Sequence, residues 1–344
     1  MKILENIALA PLTTLGIGGP ARWFVEATSE AEIAEACAWA REQDVPLFVL
    51  GGGSNVLVAD TGFDGLALHI ALAGMELAGE LLSAAAGTPW EHCVQQATEA
   101  ELAGIECLAG IPGTVGGTPV QNVGAYGQEV ASVIERVRAF DLAAQKFVEF
   151  ANADCGFSYR KSRFNTTDRG KYVVTRVDYR LRKNAAPTLN YAELKAHFSG
   201  REKTPSLLEV ADAVREIRES KGMLLVEGDP DCRSAGSFFK NPSVAPEVAE
   251  RVRQIAANSG IALRTFPADG GQVKIPAAWL IEQAGFHKGY TLGAAAISSK
   301  HTLALVNRGG ATAREILALA ASIQAAVEAQ FGIRLEMEPE RVGF

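Results

Sequence analysis

Two glycine-rich segments are the part of this chain best suited to hold an anion. Residues 51–55 read GGGSN and residues 110–117 read GIPGTVGG. Glycine lacks a Cβ, so successive backbone N–H groups can converge on a phosphate, and the hydroxyls of Ser54 and Thr114 add donors. Either segment alone is more typical of a tight turn. Each segment follows a predicted strand and helix, which for the second segment are a strand at 82–86 and a helix that ends at Gly104. The pair therefore favours a dinucleotide site.

A third glycine segment, at residues 16–21, superficially fits the GxGxxA fingerprint of Rossmann dinucleotide-binding folds. That fingerprint needs a helix that begins at the loop, so that the helix N-terminus meets the pyrophosphate. Pro20 and a strand-like run at residues 22–25 follow instead, which argues against a Rossmann site. No GxxxxGK[ST] sequence occurs either, so a P-loop kinase or ATPase is equally poorly supported.

Hydrophobic periodicity predicts the elements that must position these loops. Ser29 and Glu32 form a capping box, and apolar residues at helical spacing follow, which predicts a helix between strands at 22–25 and 47–50. The second of these strands leads directly into GGGSN. Residues 133–181 are rich in Val, Phe and Tyr with partial alternation and therefore predict a β-rich middle region.

Several helices are predicted in the last part of the chain. A polar stretch with two prolines ends near residue 204, and a capped helix opens at Ser206, which indicates a domain boundary. Further helices are predicted at 246–258, 277–283 and 312–330, the last of them with Thr312 and Glu315 as its cap and Gly332 as its end. A terminal strand is expected over residues 333–342.

Length and composition limit the possible classes of protein. The chain has 344 residues, of which 48% are hydrophobic and 21% charged, with a formal net charge of -7. These values predict two or three folded domains and exclude a disordered, collagenous or coiled-coil chain. The acidic balance argues against a nucleic-acid or anionic-membrane partner. With no membrane-length apolar run and no signal-peptide pattern, we expect a cytoplasmic protein.

The five cysteines show no metal-binding or disulfide pattern. Their number is odd, and no CxxC or CxxH spacing occurs. We therefore expect small core or surface thiols, and no metal site.

The motifs, taken in order along the chain, resemble the MurB family of FAD-dependent UDP-N-acetylenolpyruvoylglucosamine reductases of peptidoglycan synthesis. YRKSRF and GSFFKNP are the most specific of them. The matching segments are residues 14–19, 51–57, 110–127, 159–164, 236–242, 278–285 and 335–338. The similarity therefore covers nearly the whole chain.

The resemblance implies an α+β fold with a two-subdomain FAD-binding module of the vanillyl-alcohol-oxidase (PCMH) type and a separate α+β substrate-binding domain. We expect FAD-binding subdomains at 1–70 and 71–204, a substrate-binding domain at 205–330, and a C-terminal strand at 331–344 that returns to the active site. The implied cofactor is non-covalent FAD, the hydride donor NADPH, and the substrate UDP-N-acetylglucosamine enolpyruvate. We expect a monomer.

The resemblance also implies roles for individual residues. Arg160 matches the catalytic arginine, Ser237 the proton donor, and Glu338 the catalytic glutamate. On a strand, Glu336 and Glu340 would share a face with Glu338, so register alone leaves all three open. The proton donor needs neighbours that stabilise its alkoxide, such as a nearby lysine, Lys240, or backbone N–H groups. FAD-binding positions are Gly51, Gly52, Gly53, Ser54, Asn55, Gly113, Thr114, Gly116, Gly117, Gly124, Ala125 and Val174.

Substrate-binding positions follow from the same resemblance. They are Tyr191, Arg218, Lys221, Asn241 and Lys288. The segment at 187–194 resembles the tyrosine-bearing loop of the first of two forms of the family, with Tyr191 as the residue that closes over the substrate. Phe266 stands where a second aromatic hydroxyl is expected.

Two other functions remain as alternatives. One is an FAD-dependent oxidase of the same superfamily, although no His lies beside either glycine loop for covalent attachment of FAD. The other is a non-catalytic binder of nucleotide-sugars, which the joint presence of Arg160, Ser237 and a terminal Glu disfavours.

Overall fold

The computed structural model describes all residues from 1 to 344, and they form two compact units. The first unit consists of Met1–Ala8, Pro20–Gly53 and Gly62–Leu225, and the second of Leu9–Gly19, Ser54–Thr61 and Val226–Phe344. Each unit encloses an apolar core of its own. No helix is both long enough and apolar enough to cross a membrane.

The regular elements are numbered in chain order. The helices are α1 (Glu30–Glu42), α2 (Trp90–Glu99), α3 (Ala192–His197), α4 (Leu207–Ser220), α5 (Pro246–Asn258), α6 (Ala277–Gln283) and α7 (Ala313–Phe331). The strands are β1 (Leu4–Ala8), β2 (Pro20–Ala27), β3 (Leu47–Leu50), β4 (Val56–Val58), β5 (Phe63–Ile70), β6 (Met75–Ala78), β7 (Leu81–Ala85), β8 (Leu102–Ala103), β9 (Gly124–Ala125), β10 (Gln128–Glu129), β11 (Ile134–Asp141), β12 (Lys146–Ala151), β13 (Tyr172–Arg180), β14 (Arg182–Lys183), β15 (Ser234–Ser237), β16 (Ser243–Val244), β17 (Phe266–Pro267), β18 (Val273–Lys274), β19 (Thr291–Leu292), β20 (Ala295–Ile297), β21 (Ala304–Asn307) and β22 (Glu340–Val342).

The first unit contains two main sheets. A four-stranded sheet has the order β1-β2-β5-β3, in which β5 runs parallel to both β2 and β3. The predicted strand–helix–strand unit is present, with β5 inserted between its two strands. The predicted α1 stripe is buried in the core, since Ile33, Ala36, Cys37 and Ala40 have almost no exposed surface. The second sheet is antiparallel, with the order β12-β11-β13-β7-β6.

Helix α4 belongs to the first unit. It begins with the predicted capping box of Ser206 and Glu209. Its apolar stripe, which includes Val210 and Val214, is buried in the core of the first unit. The chain therefore passes from the first unit to the second after Leu225, whereas the predicted boundary lies after residue 204. The other predicted domain limits stay predictions.

The second unit packs α5, α6 and α7 around a sheet with the order β15-β21-β20-β19. The helix α7 begins at the predicted cap, Thr312, and ends before Gly332, whose φ of 65° is left-handed. The predicted continuous strand over 333–342 is wrong. Only β22 is a strand there, parallel to β4, and Met337 makes an isolated bridge to Phe239. Pro339 lies between the two pairings and has no N–H to continue a ladder.

All five cysteines are free thiols. Four of them are buried, and Cys232 is partly exposed. No group of three or more His, Cys, Asp or Glu side chains is arranged to hold a metal ion.

Candidate active site

The two glycine loops lie against each other within the first unit. A Cβ on Gly52 would lie 2.5 Å from the Cα of Gly113, and one on Gly51 would lie 3.0 Å from the Oγ1 of Thr114. That Thr114 oxygen is buried and has no hydrogen-bond partner in the protein. A buried hydroxyl without a partner costs about 1–3 kcal/mol. The loops therefore fit a ligand that brings a hydrogen-bonding atom to Thr114, as the diphosphate of FAD would.

The second loop offers fewer amides than its sequence suggests. Gly116 donates its N–H to Ala86 O at 2.8 Å, and Gly117 donates to Thr114 O at 3.0 Å. A Cβ on Gly116 would lie 2.7 Å from the Cβ of Ala86, so glycine is needed there for packing. A Cβ on Gly117 would meet nothing within 4 Å. The backbone N–H groups of this loop that a ligand could use are thus mainly those of Gly113 and Thr114.

The other predicted cofactor residues are distributed over both units. Gly53, with a left-handed φ of 61°, ends the first loop within the first unit. Ser54 and Asn55 belong to the second unit. Gly124 and Ala125 form β9, which pairs with β10, and Val174 is buried in β13. Their contacts with FAD stay predictions.

Arg160 lies at the corner of a tight turn in the first unit. Ser158 and Lys161 exchange two backbone hydrogen bonds of 3.0 Å across the turn, which leaves Tyr159 and Arg160 at its tip. The φ of Arg160 is 57°, in the left-handed region that residues with a Cβ rarely adopt. Its Nη2 donates to the carbonyl of Gly124 at 2.7 Å.

Side chains on both sides of this turn hold it in place. Asn165 Nδ2 donates to Arg160 O at 3.1 Å, and Asn165 Oδ1 accepts from the N–H of Ser162 at 2.9 Å. The buried Ser162 hydroxyl donates to Val120 O at 2.6 Å. The guanidinium of Arg160 therefore projects from a fixed backbone. An always-charged group held in this way suits the stabilisation of developing negative charge.

Ser237 and Glu338 are brought onto paired segments of the second unit. Ser237 ends β15, and the next residue, Phe238, accepts a hydrogen bond of 2.9 Å from the N–H of Glu338. Asn55 also binds the segment that holds Glu338. Its Nδ2 donates to Glu338 O at 3.3 Å, and its carbonyl accepts from Glu340 N at 2.9 Å. Both Ser237 and Glu338 are half-buried.

The other two candidate glutamates have different surroundings. Glu336 and Glu340 are exposed. The Lys240 ammonium pairs with Glu336 at 2.6 Å, so the lysine considered as a stabiliser of the Ser237 alkoxide has a carboxylate partner elsewhere. Of the three carboxylates, Glu338 is the one that combines partial burial with pairing beside Ser237. This supports Glu338 as the candidate.

A buried arginine and a buried tyrosine form the centre of a second cluster in the first unit. Arg218 Nε donates to Gly110 O at 3.0 Å, and its Nη2 donates to Met223 O at 2.8 Å. Burial lowers the pKa of Arg218, while the neighbouring Tyr126 and Glu91 oppose that shift. Burial also raises the pKa of Tyr126 to about 12, although the charge of Arg218 acts in the opposite direction. The phenol is therefore neutral at physiological pH.

Two predicted substrate residues adjoin Tyr126. The Tyr191 ring meets the Tyr126 ring edge-on, with centroids 5.2 Å apart, and 42% of Tyr191 is exposed. Lys221 Nζ lies 5.7 Å from the centroid of the Tyr126 ring and forms a 2.5 Å ion pair with Glu193. The structure thus gathers Tyr191, Arg218 and Lys221 around Tyr126. Sequence reasoning did not single out Tyr126, which lies inside the matching run at 110–127.

The remaining predicted substrate residues belong to the second unit. Asn241 Oδ1 accepts from the N–H of Ala277 at 2.8 Å and so caps α6. Lys288 is exposed. Phe266 is 41% exposed, and the Arg264 guanidinium lies 5.2 Å from the centroid of its ring. Their contacts with a substrate stay predictions.

Comparisons with known proteins agree with this architecture. Residues 229–342 match the model of the C-terminal domain of UDP-N-acetylenolpyruvoylglucosamine reductase, and residues 21–150 match that of an FAD-binding domain. A UDP-N-acetylenolpyruvoylglucosamine reductase of Streptomyces coelicolor is 47% identical, with 99% of this chain and 90% of that protein covered. A protein of the same name from Thermobifida fusca is 44% identical, with 98% of each covered.

A solved structure extends the similarity to the fold. The crystal structure of the MurB reductase of Thermus caldophilus has a TM-score of 0.68 and 28% sequence identity, covering 99% of this chain and 98% of that one. Sequence similarity and fold both extend over essentially the whole chain. The protein is therefore a member of the MurB family of UDP-N-acetylenolpyruvoylglucosamine reductases.

Proposed function

We propose that the protein reduces UDP-N-acetylglucosamine enolpyruvate to UDP-N-acetylmuramate in peptidoglycan synthesis, with NADPH as the reductant. Its similarity to reductases of this name over nearly its full length supports the activity. The loops at Gly51–Gly53 and Gly113–Thr114 would hold FAD, which would supply the transfer of a hydride from NADPH to C3 of the enolpyruvyl group. The match of residues 21–150 to an FAD-binding domain and the unpartnered Thr114 hydroxyl both support FAD as the cofactor.

The charge that develops during the reaction determines what the protein must supply. Hydride addition at C3 places negative charge on C2 and on the adjoining carboxylate, and the reaction is completed by a proton at C2. We assign the stabilisation of that charge to Arg160, whose guanidinium projects from a fixed turn. We assign the proton to Ser237 and place Glu338 in the same step. The observation that carries this assignment is the pairing of the segments that hold these two residues.

The cluster around Tyr126 is proposed to bind the UDP-sugar. Arg218 and Lys221 supply positive charge for the diphosphate, and Tyr191 and Tyr126 supply aromatic surface and hydroxyls. Asn241 and Lys288 are proposed as further contacts on the basis of the family resemblance. A monomeric state and a cytoplasmic location stay predictions from the sequence.

Measuring the two half-reactions separately distinguishes the loss of a proton donor at Ser237 from general damage to the fold. Ser237→Ala should leave flavin reduction by NADPH near the wild-type rate but slow reoxidation by the UDP-sugar about 10²–10⁴-fold, the usual contribution of a positioned acid. Ser237→Cys should retain more activity, because a thiol also donates a proton. Stopped-flow absorbance of the flavin measures both steps.

A matched control is Ser322→Ala, which removes an exposed hydroxyl of α7 that bonds only to Ala318 O at 2.9 Å. It should leave both half-reactions unchanged. Wild-type reoxidation and normal product formation by Ser237→Ala would show that Ser237 is not the proton donor. Absence of any UDP-sugar reduction by the wild-type protein would refute the proposed activity itself.

A further inference from the structure

Four residues form a polar cluster at the segment 187–194, and three of them form hydrogen bonds with the fourth, Thr188. The Thr188 N–H donates to Glu106 Oε1 at 2.8 Å, and Gln128 Nε2 donates to Thr188 Oγ1 at 3.1 Å. Cys107 Sγ donates to Thr188 O at 3.2 Å. The backbone N–H, the carbonyl and the hydroxyl of Thr188 are thus all engaged. We call Glu106, Cys107, Gln128 and Thr188 the Thr188 anchor.

Both oxygens of the Glu106 carboxylate accept hydrogen bonds from backbone N–H groups. Glu106 is completely buried, and its second oxygen, Oε2, accepts from the N–H of Gly104 at 2.7 Å. A buried carboxylate is tolerated only when hydrogen bonds compensate for its lost hydration. The two N–H groups bind different oxygens, so a glutamine in the same position would turn its NH2 donor toward one of them and lose that hydrogen bond. Glu106 therefore ties Thr188 to a rigid part of the core.

Gln128 connects the anchor to the Tyr126 cluster. It is buried, its Oε1 accepts from the N–H of Cys107 at 2.8 Å, and it lies two positions after Tyr126 in the chain. Thr188 in turn lies three positions before Tyr191. One side-chain amide therefore joins the two segments that carry the edge-on tyrosine pair.

The other end of the segment is held as well. Tyr191 is the N-cap residue of α3, and Leu194 in that helix is fully buried. The Glu193 carboxylate forms an ion pair with Lys221, which belongs to the C-cap of α4. Only two residues, Leu189 and Asn190, separate Thr188 from Tyr191, so contacts at both ends of this short segment restrict where the tyrosine ring can lie.

We propose that the Thr188 anchor is a positioning device that holds Tyr191 against Tyr126 and thereby sets the affinity for the UDP-sugar. This inference rests on the proposed function, because it assumes that Tyr191 contacts that substrate. In this proposal the anchor residues influence substrate binding only through Tyr191.

The test compares Thr188→Val with Thr188→Ser in the FAD-loaded enzyme. Valine removes the hydroxyl and leaves the Gln128 amide without its acceptor, whereas serine keeps both. We expect the Kd of UDP-N-acetylglucosamine enolpyruvate, read from the flavin spectrum, to rise about 5- to 30-fold for valine and to stay near wild type for serine. Flavin reduction by NADPH should be unchanged in both variants.

A double-mutant cycle with Tyr191→Ala then identifies the route of the effect. If the anchor acts through Tyr191, Thr188→Val should add nothing to the loss already caused by Tyr191→Ala, because coupled residues are not additive. Gln128→Met removes the same bond from the other side and should show the same dependence, which provides a second route if Thr188→Val folds poorly.

Four results would overturn the proposal, and they differ in meaning. An unchanged Kd for both Thr188→Val and Gln128→Met, or an equal loss with and without Tyr191, would show that the anchor does not position that residue. An equal loss in flavin reduction would show a purely structural role. Wild-type affinity of Tyr191→Ala would show instead that the proposed substrate contact of Tyr191 is wrong.

Discussion

Replacing Thr114 by valine should stabilise the flavin-free protein and weaken its binding of FAD. The two side chains have nearly the same shape, but valine has no hydroxyl. In the structure this hydroxyl oxygen is buried without a hydrogen-bond partner, beside the close approach of Gly52 to Gly113. Its burial costs about 1–3 kcal/mol. The free energy of unfolding of the flavin-free variant should therefore rise, by about 1 kcal/mol at the low end of that range.

The expected loss in affinity follows from the bond that the hydroxyl would make to a phosphate oxygen. A hydrogen bond to a charged group contributes about 1.5–3 kcal/mol, and each 1.4 kcal/mol is a tenfold change in Kd. The Kd for FAD should thus rise roughly 10- to 150-fold in Thr114→Val. General damage to the fold cannot produce both effects, because they have opposite signs.

Two measurements on flavin-free protein test this reasoning. Urea unfolding gives the change in the free energy of unfolding, and quenching of FAD fluorescence on titration gives the Kd. Thr114→Ser is the matched control, because it keeps the hydroxyl and should bind FAD nearly as the wild type does. An unchanged Kd in Thr114→Val, or a lower free energy of unfolding, would refute the placement of FAD at Thr114.

The thiols and one helix cap provide further tests. Burial raises the pKa of the buried cysteine thiols, to about 12 for Cys93. An aromatic disulfide reagent at pH 8 should therefore label one thiol rapidly, and Cys232→Ser should abolish this rapid labelling. Rapid labelling of two or more would contradict it. Hydrogen bonds from Ser206 and Arg201 lower the pKa of Glu209 to about 2 from 4.5. The stabilisation that ionised Glu209 contributes is therefore present above pH 4.5 and lost toward pH 2. The difference in free energy of unfolding between wild type and Glu209→Gln should shrink over that range. A constant difference would count against the cap.

Helix boundaries were predictable where a local signal marks them. Helix α5 begins at Pro246, whose fixed φ suits the first helical position, and its predicted bounds match the structure. The cap of α7 at Thr312 and its end before Gly332 were predicted from the same kind of signal. These features depend on residues within one turn of the boundary, so the sequence alone contains them.

Features that depend on distant parts of the chain were not predictable in this way. The insertion of β5 between β2 and β3 depends on pairing between strands that are far apart in the sequence. The pattern at residues 333–342 suggested one strand, but Pro339 cannot donate to a ladder and the pairing changes partners there. Helix α4 follows a polar stretch, yet its buried face packs in the first unit.

The candidate site likewise contains residues that could be predicted from the sequence and residues that could not. Family motifs identified Arg160, Ser237 and Glu338, and the structure pairs the segments of the last two. No pattern pointed to Tyr126, because one tyrosine among glycines has no distinctive spacing. Glu106 was equally hidden, since a glutamate reads as a surface residue until the structure shows two backbone N–H groups bound to its carboxylate.

The left-handed backbone of Arg160 has a consequence for engineering the protein. A residue with a Cβ in that conformation costs roughly 1–2 kcal/mol, a cost that glycine avoids. A screen that rewards thermal stability alone would therefore tend to replace Arg160 with glycine and remove the guanidinium proposed for catalysis. The chain sits below its stability optimum at this position, as functional sites often do. Stabilising designs for this enzyme should hold Arg160 fixed and seek their gains elsewhere.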